Sequence, residues 1–427
     1  MKAKLQHLYD ALLVPYHWLQ AAFWATIYGF PTRGMTVIGV TGTNGKTTTS
    51  FMIYEVLRAA GKRAGILTTV SYGANGRLTT PREHATTPAP RTLNKRLREL
   101  RRRHIDFLVL ETTSHALAQS RIFGIKIDTA VLTNITHEHL DYHGTFERYT
   151  DAKRKLFLKA KYGVVNAEDA AAAQFMASVP SSITYGVEAG DLRAQNIKLA
   201  SDSVEFAICY RDFCANQKMP IHSNIAGEFN VYNALAAAAV GLHYGLNLAE
   251  IAEGISNLDA VDGRMEVVDL GQPWTAIIDY AHTPDAFEKL LPNMKKTAKK
   301  DGGRLIVLFG SAGGRRDPSK REPMGELAGK YADIIILTEE DYRDTPIEEI
   351  FADIERGILK TRFAKKNLHK IAERAVAVDL AVGLARKNDV VLFLGKGHER
   401  ALEREDGEHN YYELDAVKRA VKKRQKS

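Results

Sequence analysis

Cysteine is nearly absent. The 427 residues hold two, Cys209 and Cys214, close together and with no second pair elsewhere. That excludes a disulfide framework and a cysteine-rich zinc site, and it suits a reducing cytoplasm. The chain has no internal repeat and no low-complexity tract. It also lacks a long uninterrupted apolar run. The most apolar stretch, Leu8 to Phe30, is broken by Pro15, His17 and Gln20 and carries no signal-type cleavage site. It is too broken for a membrane span. Two readings remain: a helix packed on the protein body, which is favoured, or an interfacial helix with Trp18, Phe23, Trp24 and Tyr28 at a headgroup layer. Residues 8–30 are therefore where peripheral membrane contact is expected, if the cytoplasmic protein makes any.

What the chain does contain is ordinary for a soluble globular protein: 45% hydrophobic and 26% charged residues, in a length that suits two or three domains. The net charge of +8 favours anionic partners without choosing between nucleotide, nucleic acid and anionic lipid. Much of that excess is local. Arg91 to Arg103 carries Lys95, Arg96, Arg98, Arg101 and Arg102, with Leu93, Leu97 and Leu100 on one helical stripe, which reads as a solvated basic face over an apolar one. No recognition motif points to nucleic acid.

The most informative segment is Thr41-Gly42-Thr43-Asn44-Gly45-Lys46-Thr47-Thr48. It follows an apolar run, Met35–Val40, that reads as a buried parallel strand. It precedes Thr49–Ala60, which has helical periodicity stopped by Gly61. A strand, a glycine turn and a helix N-terminus make an anion site, to which Lys46 adds a charge and Thr47 a hydroxyl suited to Mg²⁺. Strands then alternate with helices. Arg103–Leu110 ends at Glu111, Asp128–Thr133 at Asn134, and Tyr162–Val165 at Asn166. A second series at Thr275–Ile278, Arg304–Phe309, Asp333–Leu337 and Asp389–Leu394 implies a second α/β unit beginning near residue 260. Residues 181–224 look like a β-rich insertion. Glu111 and His139 follow strand ends in the sheet that carries the phosphate loop, where a carboxylate and an imidazole suit a divalent ion.

These residues, with Thr86-Thr87-Pro88, Glu111–Leu117, Thr133–Gly144, Ala152-Lys153, Gly227–Asn233, Asp262–Glu266, Asp279–Asp285, Asp317–Arg321 and Gly395–Glu399, resemble the Mur ligase family and within it the MurE branch, which adds the third residue of the peptidoglycan stem peptide. The resemblance implies an α/β fold with a central P-loop ATPase domain at 36–260 and a C-terminal Rossmann-like domain at 261–427. It implies ATP, Mg²⁺ and an acyl-phosphate intermediate. Gly42, Thr43, Asn44, Gly45, Lys46, Thr47 and Thr48 would hold the nucleotide phosphates, Asn230 the adenine side, Arg264 a phosphate and Asp279 the ribose. Thr47, Glu111 and His139 match magnesium-associated positions, and Lys153 matches a lysine the family carbamylates. If unmodified, Lys153 is expected to be a salt-bridging surface residue. Lys46, Lys153, His139 and Arg264 are the catalytic candidates. Thr86, Thr87, Thr113, Gln119 and Arg121 would meet the muramyl peptide.

Two departures stand out. Where diaminopimelate-adding members carry Asp-Asn-Pro-Arg, this chain has Glu340-Asp341-Tyr342-Arg343. Arg343 with Arg316 would clamp the distal carboxylate of a diamino diacid, and Gly395 and Glu399 would take its amino end, whereas Glu340 and Asp341 lend some support to lysine. Diaminopimelate is the favoured diamino acid. Family members also begin with a domain that grips UDP, but about 35 residues precede the first strand here. The expectation is that residues 1–35 form an apolar helical segment in its place, with three explanations open: the helix makes a reduced contact with a UDP-linked muramoyl-dipeptide precursor, another protein supplies the grip, or the precursor is lipid-linked and the helix lies on the membrane. A folylpolyglutamate synthase-like ligase is the runner-up, followed by a non-ligating P-loop ATPase or membrane-associated scaffold.

Overall fold

The computed structural model describes residues 2–81, 86–200, 202–210, 219–314 and 316–426, with side chains undescribed at residues 2–12, Asp141 and Met219. Cys214 lies outside the described residues, whereas Cys209 is buried in strand Val204–Tyr210. Among the described residues eleven strands form one sheet and six form a second. Strand Thr36–Thr41 lies between the parallel strands Phe107–Glu111 and Ile127–Leu132. Val40 is level with Glu111, and Thr41 is level with Leu132. Their near-continuous apolar sequences follow from burial on both faces.

Helix Lys46–Ala59 covers one face of this sheet. Phe51, Met52, Ile53 and Leu57 enter its core, and the helix packs against Phe229–His243 and Leu248–Ser256. Helix Phe229–His243 buries Ala234 and Ala236 to Ala239 completely, since small side chains let it lie close to both layers. The opposite face is filled by Leu93, Leu97 and Leu100 of helix Pro90–Arg102 and by Tyr149, Leu156 and Phe157 of helix Phe146–Phe157.

The region expected to be a β-rich insertion is instead the far edge of this same sheet. Strand Ser182–Gly186 pairs parallel with Ala160–Asn166, and Leu192–Leu199, Val204–Tyr210 and Met219–Ser223 extend it outward. Alternating Ile197, Phe206 and Ile208 signal a half-buried strand in either arrangement, so periodicity does not distinguish the two.

The second sheet begins with Glu266–Val268. Its parallel strands Thr275–Asp279, Val390–Leu394, Leu305–Phe309 and Ile334–Leu337 are adjacent in that order. Asp279 is level with Leu394, and Phe309 with Leu337, so Tyr280, Gly395, Gly310 and Thr338 leave the sheet at one edge. A single helix, Lys2–Ile27, precedes the first strand and packs on Pro90–Arg102. Among the described residues no helix is long and apolar enough to cross a membrane.

Candidate active site

The C-terminal edges of the two sheets face each other across a cleft of about 1130 Å³. Such edges are where open α/β sheets bind ligands. The phosphate loop forms one wall. Gly42 and Gly45 have φ of 148° and 81°, and a Cβ on them would lie 1.9 Å from Thr133 Oγ1 and 2.5 Å from Asn233 Oδ1. Only glycine fits this conformation and these neighbours. The Asn44 N–H donates to Asn134 Oδ1 at 2.9 Å, and Thr133 Oγ1 donates to the Asn44 carbonyl at 2.6 Å. Helix Lys46–Ala59 begins at Gly45 with no side-chain cap, so its N-terminal amides remain an anion site beside Thr43, Asn44, Gly45, Lys46, Thr47 and Thr48 in the cleft lining.

Glu111 is the hub of this wall. It ends its strand with 1% of its surface exposed, and Thr47 Oγ1 lies 3.0 and 3.1 Å from its two carboxylate oxygens. The Thr69 N–H adds a bond at 3.1 Å. Among the described residues no lysine or arginine forms an ion pair with Glu111. A buried carboxylate held by neutral donors beside a threonine hydroxyl is an oxygen donor set that fits Mg²⁺. Among the described residues, however, no three His, Cys, Asp or Glu side chains gather as a metal cluster. Mg²⁺ takes one or two protein oxygens with water and phosphate, so the arrangement still suits it.

Two lysines converge on one carbonyl. Lys46 Nζ donates to the carbonyls of Gly42 and Thr43 at 3.0 and 2.7 Å, and Lys153 Nζ donates to Gly42 at 2.5 Å. Lys153 is only 2% exposed, with its Nζ 4.6 Å from the Tyr149 ring centre. It is therefore not the salt-bridging surface residue expected of an unmodified lysine, because helix Phe146–Phe157 turns it inward beneath the loop. Burial, then the Lys46 charge, pushes the Lys153 pKa well below the usual lysine range. Burial likewise lowers that of Lys46, against the pull of Glu138 and Glu111.

His139 caps a short helix in the left-handed region (φ 54°) and lines the cleft. Its ring centre is 4.7 Å from that of His115. Burial first, then neighbouring cations, holds His139 at about 2 and His282 at about 4. Burial, then neighbouring histidines and arginines, holds His115 at about 3. These rings are neutral near pH 7.

The second sheet supplies the other wall. Arg264 reaches across to Thr47 Oγ1 at 3.5 Å and covers the Tyr280 ring at 4.6 Å, and its buried Nε has no hydrogen-bond partner among the described residues. Asp279 accepts the N–H groups of Met265 and Ala281, both at 2.8 Å, and burial raises its pKa. Asn230 donates to the Ala226 carbonyl at 2.6 Å and accepts from Asn233 at 2.8 Å. Asn44 Nδ2 bonds Asp285 Oδ2 at 2.6 Å, a second direct link between the walls.

The remaining candidates lie at the two ends of the cleft. Thr86 accepts from Thr69 Oγ1 at 2.7 Å, and Thr87 donates to the Glu111 carbonyl at 3.0 Å. Thr113 caps helix Ser114–Ala118. Arg121 bonds the Thr87 carbonyl at 2.6 Å and Gln119 Oε1 at 2.7 Å. At the other end Arg343 pairs with Glu403 at 2.5 Å and Asp341 at 3.6 Å. Lys396 joins Asp341 at 2.8 Å and Glu399 at 2.5 Å, and Tyr280 OH donates to Glu399 at 3.0 Å. Gly395 lies against Glu340, whose Oε2 is buried and has no hydrogen-bond partner among the described residues. Arg316 is exposed in the cleft, and its charge acts on His115 and His139.

All these candidates line the cleft except Gly42, Lys153, Gln119 and Gly395, which are not part of its lining. Sequence reasoning passed over Glu138, Asn134, His282 and Asp285 as individual site residues. Glu138 lies 3.7 Å from His139 and 3.8 Å from His282, and acts on both lysines. Each sits inside a quoted motif, but only the fold turns it into the cleft.

Comparison with known proteins agrees with this architecture. Residues 40–241 match the Mur ligase middle domain, and residues 263–397 match the Mur ligase, glutamate ligase domain. A UDP-N-acetylmuramyl-tripeptide synthetase of Deinococcus radiodurans is 40% identical, over 89% of this chain and 76% of its own length. A UDP-N-acetylmuramoyl-L-alanyl-D-glutamate–2,6-diaminopimelate ligase of Clostridium acetobutylicum is 38% identical over the same shares. A solved 2,6-diaminopimelate ligase superposes with a TM-score of 0.62 at 30% identity, covering 92% of this chain and 79% of the other. The phosphate loop, the Glu111–Thr47 pair and the facing second sheet thus belong to a chain of the Mur ligase family, in the branch of the MurE ligases and muramyl-tripeptide synthetases.

Proposed function

We propose that this chain uses ATP to join a diamino acid to a muramoyl-L-alanyl-D-glutamate precursor. The observation that carries the reading is the contact of Thr47 with both Glu111 and Arg264, one from each wall, at the phosphate loop. A substrate carboxylate oxygen attacks the γ-phosphorus of ATP, the bond to ADP breaks, and an acyl phosphate forms. The incoming amine attacks the acyl carbon, phosphate leaves, and the amine loses a proton. Residues 36–260 act as the ATP-binding unit and 261–427 as the amino-acid unit.

The problem to solve is repulsion between two anions. Lys46, the loop amides and Arg264 offset it by placing positive charge where the phosphoryl group passes. Mg²⁺, when held by Thr47 and Glu111 with His139 near, supplies further charge neutralisation. Lys153 is the candidate for carbamylation. Burial pulls its pKa well below the usual lysine range, which favours the neutral amine that attacks CO₂ with loss of a proton, and the product would be an anionic oxygen donor. Asn230 and Asp279 take the nucleoside end. Thr86, Thr87, Thr113, Gln119 and Arg121 form the muramyl-peptide side.

The amino acid is read as meso-diaminopimelate, with Arg343 and Arg316 for the distal carboxylate, and with Gly395, Asp341 and Glu399 around the amino end. Glu403 and Asp341 hold the Arg343 guanidinium oriented. The relatives' names specify a UDP-linked acceptor, and a lipid-linked one is the alternative carrier.

The test is ADP release with UDP-linked and lipid-linked muramoyl-dipeptide, each crossed with diaminopimelate, lysine and ornithine. Release that requires both acceptor and diamino acid supports the reading, and release independent of the amino acid overturns it. In the same assay Arg343→Ala is expected to raise KM for diaminopimelate about 30- to 150-fold and to leave that for ATP nearly unchanged, as for an unpaired carboxylate in a closed site. Unchanged diaminopimelate kinetics would remove Arg343 from the pocket.

A further inference from the structure

The N-terminal helix is apolar on two sides. One side packs on the protein: Ala21 and Ala25 are each 1% exposed, and the Trp18 ring meets Phe123 edge-on at 5.3 Å. The other side carries Tyr16, Leu19, Phe23 and Ile27, exposed at 56%, 60%, 56% and 56%. Their spacing of three, four and four places them on one helical stripe. Nothing among the described residues covers it. Single exposed apolar residues are common, but four on one stripe form a patch of the kind that marks a contact surface.

The charge beside this stripe says what it would contact. Helix Pro90–Arg102 packs directly on the N-terminal helix. Its outer face presents Arg91, Lys95, Arg98 and Arg102, all exposed and spaced four, three and four apart, with Arg101 beside them. The two stripes are physically continuous. The Phe23 ring is 5.1 Å from Trp24, and the Arg91 guanidinium lies 5.3 Å over the Trp24 ring. At the end of the N-terminal helix, Arg33 covers Phe30 at 4.6 Å. An apolar stripe edged by indole and phenyl rings, then by a row of cations, matches the profile of an anionic bilayer from acyl boundary to headgroup. The cleft and its polar residues take no part in either stripe.

We propose that this face, Tyr16–Ile27 together with the basic face of Arg91–Arg102, docks the protein on an anionic membrane surface. The helix lies in the interface and does not cross it, in keeping with the absence of a spanning helix among the described residues. Apolar insertion and counter-charge act together, so binding depends on both and weakens with salt.

The test is co-sedimentation of the full-length protein with vesicles of phosphatidylcholine alone and of phosphatidylcholine with phosphatidylglycerol, at low and high salt. Oligomeric state is followed by light scattering. The expected result is binding to the anionic vesicles only, reduced by salt. Leu19→Glu/Phe23→Glu is expected to abolish it, and Arg98→Glu/Arg102→Glu to weaken it by about tenfold or more. Both variants alter exposed side chains away from the cleft, and their ADP release without vesicles is expected to be unchanged. Absence of binding, or equal binding to neutral vesicles, overturns the proposal. So does a wild-type oligomer that Leu19→Glu/Phe23→Glu dissociates, which would assign the stripe to a second copy of the chain.

Discussion

At the scale of single residues, the phosphate-loop wall depends on charges held in unusual places. Lys46 and Lys153 share the Gly42 carbonyl, the first half-buried in the cleft wall and the second fully buried. Lys46→Ala removes a cation from the phosphate side, so kcat is expected to fall on the order of 10²-fold or more, with the circular dichroism spectrum retained. Near-normal turnover would detach Lys46 from the chemistry. Lys153→Ala separates two roles. If a carbamate forms there, activity falls, short carboxylates such as formate partly restore it, and the wild type gives a ¹³C carbamate signal in labelled bicarbonate. A structural ammonium predicts no label and no rescue. The loop motif makes Lys46 legible in the sequence. The burial of Lys153 is not legible, because the helical pattern of residues 146–157 only implies an inward face, and Lys153 lies on it with Tyr149 and Leu156.

At the scale of elements, strand and helix positions follow from apolar runs bounded by glycine and polar residues. The strands read at Asp128–Thr133, Thr275–Ile278 and Asp389–Leu394 fall within a residue of Ile127–Leu132, Thr275–Asp279 and Val390–Leu394. Strand Phe107–Glu111 begins later than Arg103–Leu110 suggests, because helix Pro90–Arg102 and its turn extend that far. The C-terminal helix Glu413–Gln425 is secured through its first residue. Glu413 accepts from Arg374 at 2.7 Å, and both side chains are fully buried. Arg374 also donates to the carbonyls of Glu339 and Leu394 at 2.9 and 2.7 Å, tying two strand ends to the helix start. Glu413→Ala strands a buried guanidinium and is expected to cost about 3–5 kcal/mol, read as a lowered denaturation midpoint. A midpoint within error of the wild type would show that solvent reaches the site.

At the scale of the whole molecule, the two sheets share a cleft lined by the half-buried His115, His139 and His282, with the buried His143 ring 5.5 Å from that of His115. His115, His139, His143 and His282 are held at about 3, 2, 4 and 4, below the ordinary value of 6.5, with burial the first cause in each. The unfolded chain therefore binds more protons than the folded one between pH 6.5 and about 4. Stability is greatest above pH 6.5 and falls as pH drops through that window, by about 1 kcal/mol per pH unit for each histidine. Denaturant midpoints measured from pH 7.5 to 4.5 test this. His282→Gln is expected to flatten the slope, and an unchanged slope would mean that His282 titrates alike in both states.

The amino-acid sequence by itself determined the phosphate loop, the alternation of strands and helices and the family, because each rests on residues close in the chain or on motifs kept in order. It also determined that Glu111 and His139 follow strands. Only the tertiary structure decided that residues 182–223 extend the central sheet, that Arg264 and Asp285 cross to Thr47 and Asn44, and that Glu138 stands between His139 and His282. The physical reason is separation along the chain. Periodicity reports which side of an element is buried, but not against what. Arg264 and Thr47 are 217 positions apart, and contacts of that kind exist only once both sheets have formed and their C-terminal edges meet.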